Sequence, residues 1–372
     1  MGYLAKPLRA VWWALAVALS MPAQGAEAVA APKVELVILG AAAGRTSYGG
    51  HPDGGFSAAV SVGDDRYLVD FGRGWHDRYY QAGLGTPKAG TGFAGLETLR
   101  AAFITHLHSD HVVGYPELLL FGSTEGLRQR KVPLQVYGPG SRGALPPESR
   151  RLPAARNIVN PASPNPGTVE MTERLYDAFA TDLNDNILDS GMPNPHDYIR
   201  PHDIELPAGI ELASGGLPPR MAPFEVYRDE QVRVSATLVV HPPMAPSFAF
   251  RFDTPAGAIV FSGDTNTSDN LVELAKDAKV LVHEVISREW ANGLFPVPRS
   301  PDQEAKLDHL MKSHTEVADV GDVAARSGVQ RLVLSHLAPP TVPTQQWIEG
   351  VKGFGGTVEV GRPLHRVTLT PP

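Results

Sequence analysis

The chain contains no cysteine, although it is 372 residues long. This absence excludes a disulfide framework, a Cys-ligated zinc or iron–sulfur site, a thiol nucleophile and a lipoprotein anchor. Basic residues are also scarce, with 33 Lys and Arg against 40 Asp and Glu and a formal net charge of −7. Proteins that wrap a nucleic-acid backbone concentrate Lys and Arg, so this balance argues against a nucleic-acid partner. With 42% hydrophobic residues, the composition is that of a globular chain.

Long hydrophobic runs are missing too, since a membrane-spanning helix needs roughly 20 apolar residues. The apolar run at residues 10–21 is shorter, follows Lys6 and Arg9, and precedes the small residues of 23–28. This pattern predicts a secretory signal peptide over residues 1–28, with a buried N-terminal helix as the alternative. The mature protein, residues 29–372, is then expected to be periplasmic or secreted, with no stable membrane insertion after cleavage.

The mature chain reads as short apolar strands with helices interspersed but not in strict alternation. Residues 56–62 and 66–71 flank a Gly-Asp-Asp turn, which is typical of a hairpin. Such an order predicts an α/β chain with two mixed sheets and not a doubly wound parallel sheet. Residues 139–223 are rich in proline and show one clear helical stretch, at 168–180. We therefore expect them to form an insertion or lid on the core.

Four potential metal ligands lie within six positions, directly after the predicted strand 101–104: His106, His108, Asp110 and His111. His106 and His108 are two apart, so both project to one side if the strand geometry continues. Asp110 and His111 follow where the chain turns, and they can face a second ion. Imidazole and carboxylate are suitable zinc ligands. The alternative is a histidine-rich surface turn.

Three further candidate ligands each follow a short apolar strand: His241, Asp264 and His336. Each one alone is typical of an ordinary loop histidine or turn aspartate. Their shared position after a strand predicts that they belong to the same site.

These residues together resemble the metallo-β-lactamase superfamily, whose H-x-H-x-D-H motif matches residues 106–111. The resemblance implies an αββα sandwich, in which two mixed sheets are flanked by helices. It also implies two zinc ions, one held by His106, His108 and His241 and a second by Asp110, His111 and His336, with Asp264 bridging both. Manganese and iron also bind such ligand sets.

Three segments resemble one branch of this superfamily, ribonuclease Z and the zinc-dependent arylsulfatases. Phe250-Arg251 follows His241 as an aromatic–Arg pair does in that branch, and residues 67–74 resemble its L-V-D-C-G-E-G stretch, with Phe71 and Arg73 as departures. Ser313-His314-Thr315 resembles its H-S/T motif. The resemblance implies that His314 assists at the leaving group. We also expect Asp110 to orient the attacking hydroxide while it binds metal.

Within this branch, the gap between His241 and Asp264 is only 23 positions. That gap has no room for the tRNA-clamping arm that ribonuclease Z carries there. With the predicted export and the negative charge, it favours an exported di-zinc hydrolase that cleaves a small sulfate or phosphate ester by attack of a metal-bridging hydroxide. We therefore expect a small anionic ester as the partner and no nucleic acid. The alternatives are a ribonuclease Z-like endoribonuclease of the 3′ tRNA-processing type, a lactonase and a non-catalytic metal-binding protein.

Overall fold

The computed structural model describes residues 1–3, 31–51, 53–85, 95–146, 157–212 and 217–370. Residues 1–31 and 32–372 form two separate units, and all helices and strands given below belong to the second. The predicted signal peptide falls on residues that, apart from the first three, lie outside the described part of the chain.

Two seven-stranded sheets form the centre of the molecule. The first sheet has the strand order β14-β1-β2-β3-β4-β5-β6, where β1 is Val34–Ala41, β2 Phe56–Val62, β3 Asp65–Val69, β4 Leu99–Phe103, β5 Leu134–Pro139, β6 Ile199–Ile204 and β14 Arg366–Leu369. The second has the order β13-β12-β11-β10-β9-β8-β7, where β7 is Phe224–Arg228, β8 Arg233–Leu238, β9 Phe248–Thr254, β10 Gly257–Phe261, β11 Val280–Ile286, β12 Arg331–Ala338 and β13 Thr357–Val360.

Both sheets are mixed, as predicted. In the first, β1, β2 and β3 pair antiparallel while β3 to β6 pair parallel. In the second, β7 to β10 pair antiparallel and β10 to β13 pair parallel. Parallel pairing brings the carboxyl ends of neighbouring strands to one edge, which is where the candidate site residues lie.

Helices cover the outer faces of both sheets, while the seventh and eighth helices pack at the strand ends near Ala43, Ile286 and Ala338. The helices are α1 Trp75–Gln81, α2 Ser109–Val112, α3 Tyr115–Phe121, α4 Thr168–Ala178, α5 Ala180–Ser190, α6 Asp269–Leu274, α7 Arg288–Leu294, α8 Pro301–Ser313, α9 Val317–Ser327 and α10 Thr344–Gly350. Alternation along each strand produces this layering, because successive side chains point to opposite faces. Along β1, Leu36 and Ile38 pack between the sheets, whereas Val37 and Leu39 pack under α1 and α3.

The αββα sandwich predicted from the sequence is therefore confirmed. Within residues 139–223, the structure adds a strand that the sequence pattern did not indicate, since β6 pairs in parallel with β5 at the sheet edge. It also adds α5 directly after the predicted helix α4. A lid role for this segment stays a prediction. Among the described residues, none of the helices combines the length and apolarity needed to cross a membrane.

Candidate active site

The segment with four candidate ligands connects the end of β4 to α2. The N–H of Phe248 in β9 donates to the carbonyl oxygen of Thr105 at 2.9 Å, which ties the exit of β4 to the second sheet. Backbone at His108 is extended, and the helix begins at Ser109. His106 and His108 therefore point to one cluster, whereas Asp110 and His111 in the helical turn point to another.

The first cluster contains His106, His108, His241 and Asp264. Nδ1 of His108 lies 3.0 Å from Nε2 of His106 and 3.1 Å from Nε2 of His241. Oδ2 of Asp264 lies 3.6 Å from Nε2 of His106 and 3.7 Å from Nε2 of His241. Four ligand atoms thus converge from three separate parts of the chain.

The second cluster contains Asp110, His111, His336 and again Asp264. Nε2 of His336 lies 3.1 Å from Oδ2 of Asp110 and 3.3 Å from Oδ2 of Asp264. Nε2 of His111 lies 3.3 Å from Oδ1 of Asp264. Asp264 belongs to both clusters, which is the shared position that the resemblance assigns to it.

His336 differs from its sequence prediction in one respect, because it lies within β12 and not after it. The pairing between β11 and β12 shifts here, since Ser335 opposes Glu284 and Leu337 opposes Val285. His336 is left unpaired, with a φ of 45°. An extra residue of this kind re-aims a side chain out of the regular alternation, and here it directs the imidazole to Asp110 and Asp264.

The donor atoms fit a divalent cation. Nε2 of His111 and Oδ1 of Asp264 are buried and lie 3.3 Å apart without hydrogen-bond geometry, and neither has another hydrogen-bond partner within the described part of the chain. Buried polar atoms are costly without a partner, and a metal ion supplies one. Nitrogen and carboxylate oxygen ligands suit zinc. The protein is thus a metal-binding one, and the individual ligand assignments remain predictions.

The protonation of the first cluster also suits metal binding. Burial lowers the pKa of His108 and of His241 to about 3 each, and it lowers the pKa of His106 well below its usual range. These imidazoles are therefore neutral, which is the form that ligates a metal. Burial opposes ionisation of Asp264, but the facing imidazoles of His336, His111 and His106 hold its pKa well below the usual range.

Two groups behind the clusters orient the ligand imidazoles. Oδ2 of Asp70 accepts a hydrogen bond from Nδ1 of His111 at 2.8 Å, and its carboxylate also accepts from the N–H and the hydroxyl of Thr105 at 2.7 Å each. Nδ1 of His241 donates to the carbonyl oxygen of Ser313 at 2.7 Å. Such contacts fix the tautomer, so that Nε2 faces the metal position.

His314 faces both clusters. Its Nδ1 lies 2.9 Å from Oε1 of Glu284, and its ring centroid lies 5.1 Å from that of His241 and 5.8 Å from that of His336. Oε1 of Glu284 also accepts from the N–H of Thr265 at 2.8 Å. The sequence indicated His314, but it did not indicate that Glu284 orients it, since the two residues are 30 positions apart.

Beside Asp110 lies a cavity of about 150 Å³ lined by the side chains of Arg45 and Arg73. Gly55 in its wall has a φ of 79°, and a Cβ there would lie 2.3 Å from the carbonyl oxygen of Asp110, so only glycine fits. Within the described residues, neither guanidinium forms an ion pair with a carboxylate. The cavity therefore presents positive charge next to the clusters.

Among curated proteins, the chain is similar to ribonuclease Z of several mycobacteria. It is 30% identical to the Mycobacterium marinum enzyme over 318 residues, which is 85% of this chain and 92% of the relative. It is also 30% identical to the Mycobacterium bovis enzyme over 320 residues, with the same two coverages. No family model matches the chain.

Solved structures confirm the fold. The human tRNase Z short form aligns with a TM-score of 0.55 at 19% identity, over 91% of this chain and 99% of that one. The metallo-β-lactamase fold protein YhfI from Bacillus subtilis aligns with a TM-score of 0.54 at 13% identity, over 90% and 99% of the two chains. Zinc-bound PqqB from Methylobacterium extorquens aligns with a TM-score of 0.51 at 13% identity, over 90% and 99%.

The ribonuclease Z relatives overturn one expectation. The prediction of a small anionic ester as the partner, with no nucleic acid, was wrong. It relied on the short gap between His241 and Asp264, on the predicted export and on net charge. Net charge is an average over the whole molecule, whereas binding depends on the charges around the site. Arg45 and Arg73 lie beside the clusters although the chain as a whole is acidic.

The fold, the geometry of the site and the similar proteins point to the same class of enzyme. The sandwich, the two ligand clusters at its edge and the mycobacterial relatives support a metal-dependent hydrolase that acts on ester bonds. The resemblance to ribonuclease Z seen in the sequence is confirmed over most of the chain. The chain belongs to the ribonuclease Z family of hydrolases with the metallo-β-lactamase fold.

Proposed function

We propose that this protein is a ribonuclease Z-type endoribonuclease, which hydrolyses a phosphodiester bond of a precursor tRNA near its 3′ end. The observation that carries the proposal is the 30% identity to ribonuclease Z over 92% of the relative's length. The double cluster with His314 beside it supports hydrolysis of such a bond.

We propose two divalent metal ions, zinc by ligand type. One would be held by His106, His108 and His241, the other by Asp110, His111 and His336, with Asp264 shared. When bound, such a pair supplies Lewis acidity that activates water near neutral pH and neutralises charge on the phosphoryl oxygens.

The chain's own groups then handle the proton that the leaving oxygen requires. Burial lowers the pKa of His314 to about 4, and burial together with the charge of Asp264 raises the pKa of Glu284 well above its usual range. In the metal-free protein these shifts favour a proton on Glu284, which faces Nδ1 of His314. We propose that Nε2 of His314 donates to the leaving oxygen and that Glu284 reprotonates the ring through Nδ1.

Substrate positioning falls to the arginines beside Asp110. Guanidinium groups bind phosphate oxygens in a bidentate manner. Arg73 and Arg45 are placed to hold a backbone phosphate of the RNA close to the scissile bond. Asp110 accepts a hydrogen bond from the N–H of Gly44 at 2.7 Å, so the same loop that carries Arg45 also positions this ligand.

Cleavage of a precursor tRNA with a 3′ trailer tests the proposal. The purified, zinc-loaded protein should cut it at one position, and chelation or His108→Ala should abolish the product. His196→Ala is a matched control, because His196 is an exposed histidine whose side chain is 51% accessible and which pairs with Glu173. A zinc-loaded protein that leaves every precursor tRNA intact would refute the proposal.

A further inference from the structure

One tyrosine in the loop after β1 has a backbone conformation that costs free energy. Tyr48 has a φ of 42°, which lies in the left-handed region that bulky residues rarely adopt. The two residues that follow, Gly49 and Gly50, also have positive φ, but as glycines they adopt such angles without strain. Strained residues that are not glycine concentrate at functional sites. The side chain of Tyr48 is therefore a candidate for a functional role.

The hydroxyl of Tyr48 lies close to the second ligand cluster. The loop folds back, so that a Cβ built on Gly44 would lie 3.8 Å from Oη of Tyr48. The N–H of the same Gly44 donates to Oδ2 of Asp110 at 2.7 Å. Gly44 thus adjoins both the hydroxyl and the carboxylate. Burial and the charge of Asp110 raise the pKa of Tyr48, which agrees with this placement.

The ring of Tyr48 packs next to α7. Its centroid lies 6.0 Å from that of Trp290, with an angle of 49° between the two ring planes. The residue is half-buried, and its hydroxyl stays accessible without a hydrogen-bond partner among the described residues. A phenol carries its proton near neutral pH. Tyr48 therefore presents a free hydrogen-bond donor beside Asp110.

We propose that Oη of Tyr48 donates a hydrogen bond to a non-bridging oxygen of the scissile phosphate, on the side of Asp110. The proposal rests on the ribonuclease function proposed above. A phosphate held between the second cluster and the cavity lined by Arg45 and Arg73 presents negatively charged oxygens to this loop. Hydrogen bonds to ionised acceptors are about twice as strong as those between neutral groups. A donor fixed where charge develops also lowers the reaction barrier.

The variant Tyr48→Phe removes the hydroxyl and leaves the ring beside Trp290. On a precursor tRNA, kcat/KM of the zinc-loaded protein should fall about tenfold, as for the loss of a hydrogen bond to a charged group. Zinc content and melting temperature should not change. Tyr137→Phe is the matched control and should behave as wild type, because Tyr137 is also half-buried but stacks on His202, with 4.7 Å between the ring centroids, and packs against the core between the sheets.

Phosphorothioate RNAs identify the atom that Tyr48 contacts. Each diastereomer carries sulfur, which is a weak acceptor, in place of one non-bridging oxygen of the scissile phosphate. The quantity compared is the ratio of kcat/KM between wild type and Tyr48→Phe on each RNA. This ratio should fall to about one on one diastereomer. It should stay near ten on the other diastereomer and on an RNA with sulfur only at the next phosphate.

The remaining outcomes overturn the contact. The same ratio on every RNA, whether ten or one, would refute it while the ribonuclease function stands. A ratio that falls only when sulfur is at the next phosphate would assign the hydroxyl to that phosphate and refute the contact with the scissile one. If the zinc-loaded wild type cleaves no precursor tRNA, the ribonuclease function itself has failed, and the contact fails with it.

Discussion

Asp264 takes part in both candidate metal clusters. Its two oxygens face the histidines of both clusters, and its charge acts on the histidines and on Glu284 at the same time. The Gly-Asp-Thr turn that contains it follows β10, so the carboxylate reaches the edge between the two ligand groups. If both clusters bind a metal ion, a shared ligand of this kind would couple their occupancy.

His314→Ala should separate chemistry from metal binding. Loss of a general acid lowers kcat by about 10²- to 10⁴-fold, while the proposed metal ligands are untouched. Turnover of the RNA and zinc content per chain, measured on the same sample, check this. Glu284→Gln should lower kcat less, because it keeps a hydrogen-bonding group at Nδ1. A His314→Ala protein with full activity would exclude His314 as the acid.

Asp70→Asn should act on the metal through His111. The neutral amide no longer favours the Nδ1–H tautomer of His111, and loss of such a partner weakens metal affinity by about 10- to 100-fold. Competition with a chromophoric chelator measures this affinity. Asp65→Asn is the control, since Asp65 pairs with Arg100 at the far end of β3. Equal zinc affinities of the Asp70 and Asp65 variants would contradict the assignment.

At the scale of elements, the strand ends carry most of the site. Asp70, His106 and His241 follow β3, β4 and β8. The sequence indicated the two histidines as polar residues after apolar runs, but it placed Asp70 inside the predicted strand 66–71. Helix α8 was not predicted, although it begins with a capping box in which Ser300 and Gln303 bond each other's backbone. This helix ends at Ser313, so it places both the carbonyl that orients His241 and the neighbouring His314.

Gly321→Ala tests how closely α9 packs against the chain after α10. A Cβ at this position would lie 1.8 Å from the carbonyl oxygen of Lys352, so the two segments must separate. We expect a loss of unfolding free energy of about 1–3 kcal/mol. Gly293→Ala in α7 is the matched control, because nothing lies within 4 Å of its Cβ. It should be neutral or stabilise by up to about 1 kcal/mol. Thermal or urea unfolding checks both, and equal stability of the two variants would contradict this packing.

At the scale of the whole molecule, we expect the charges around the site to affect RNA binding more than the net charge of −7 does. Removing one positive group that binds a phosphate reduces the dependence of log K on log salt by about 0.7–0.9. Arg73→Ala should therefore weaken RNA binding and lower this slope by nearly one. Arg200→Ala, on an exposed position of β6, should leave it unchanged. RNA is titrated into catalytically inactive His108→Ala protein, with and without Arg73→Ala, at several salt concentrations to measure the slope. Identical slopes would show that Arg73 does not contact the RNA backbone.

The predicted signal peptide, residues 1–28, is the second prediction that concerns the whole molecule. The prediction that residues 1–28 are a signal peptide, made from their basic start, apolar run and small residues, conflicts with the proposed function, because an exported protein does not meet precursor tRNA. Intact mass of the protein purified from its native host checks this, and the loss of about 28 N-terminal residues is expected if the signal peptide is cleaved. Full-length mass in the cytoplasmic fraction would contradict both cleavage and export.

The sequence by itself determined the fold class and brought out the candidate ligands. Short apolar strands and the dense histidine–aspartate motif are local patterns, and local patterns can be read from spacing alone. The missed helix α8, the missed edge strand β6 and the bulge at His336 depend on packing against distant segments, so no local pattern indicates them. The pairs Asp70–His111 and Glu284–His314 were decided by tertiary structure for the same reason, since their members are 41 and 30 positions apart. The substrate class was misjudged because the short gap after His241, the predicted export and the charge averaged over the molecule all argued against RNA, whereas only folding brings Arg45 and Arg73 to the site.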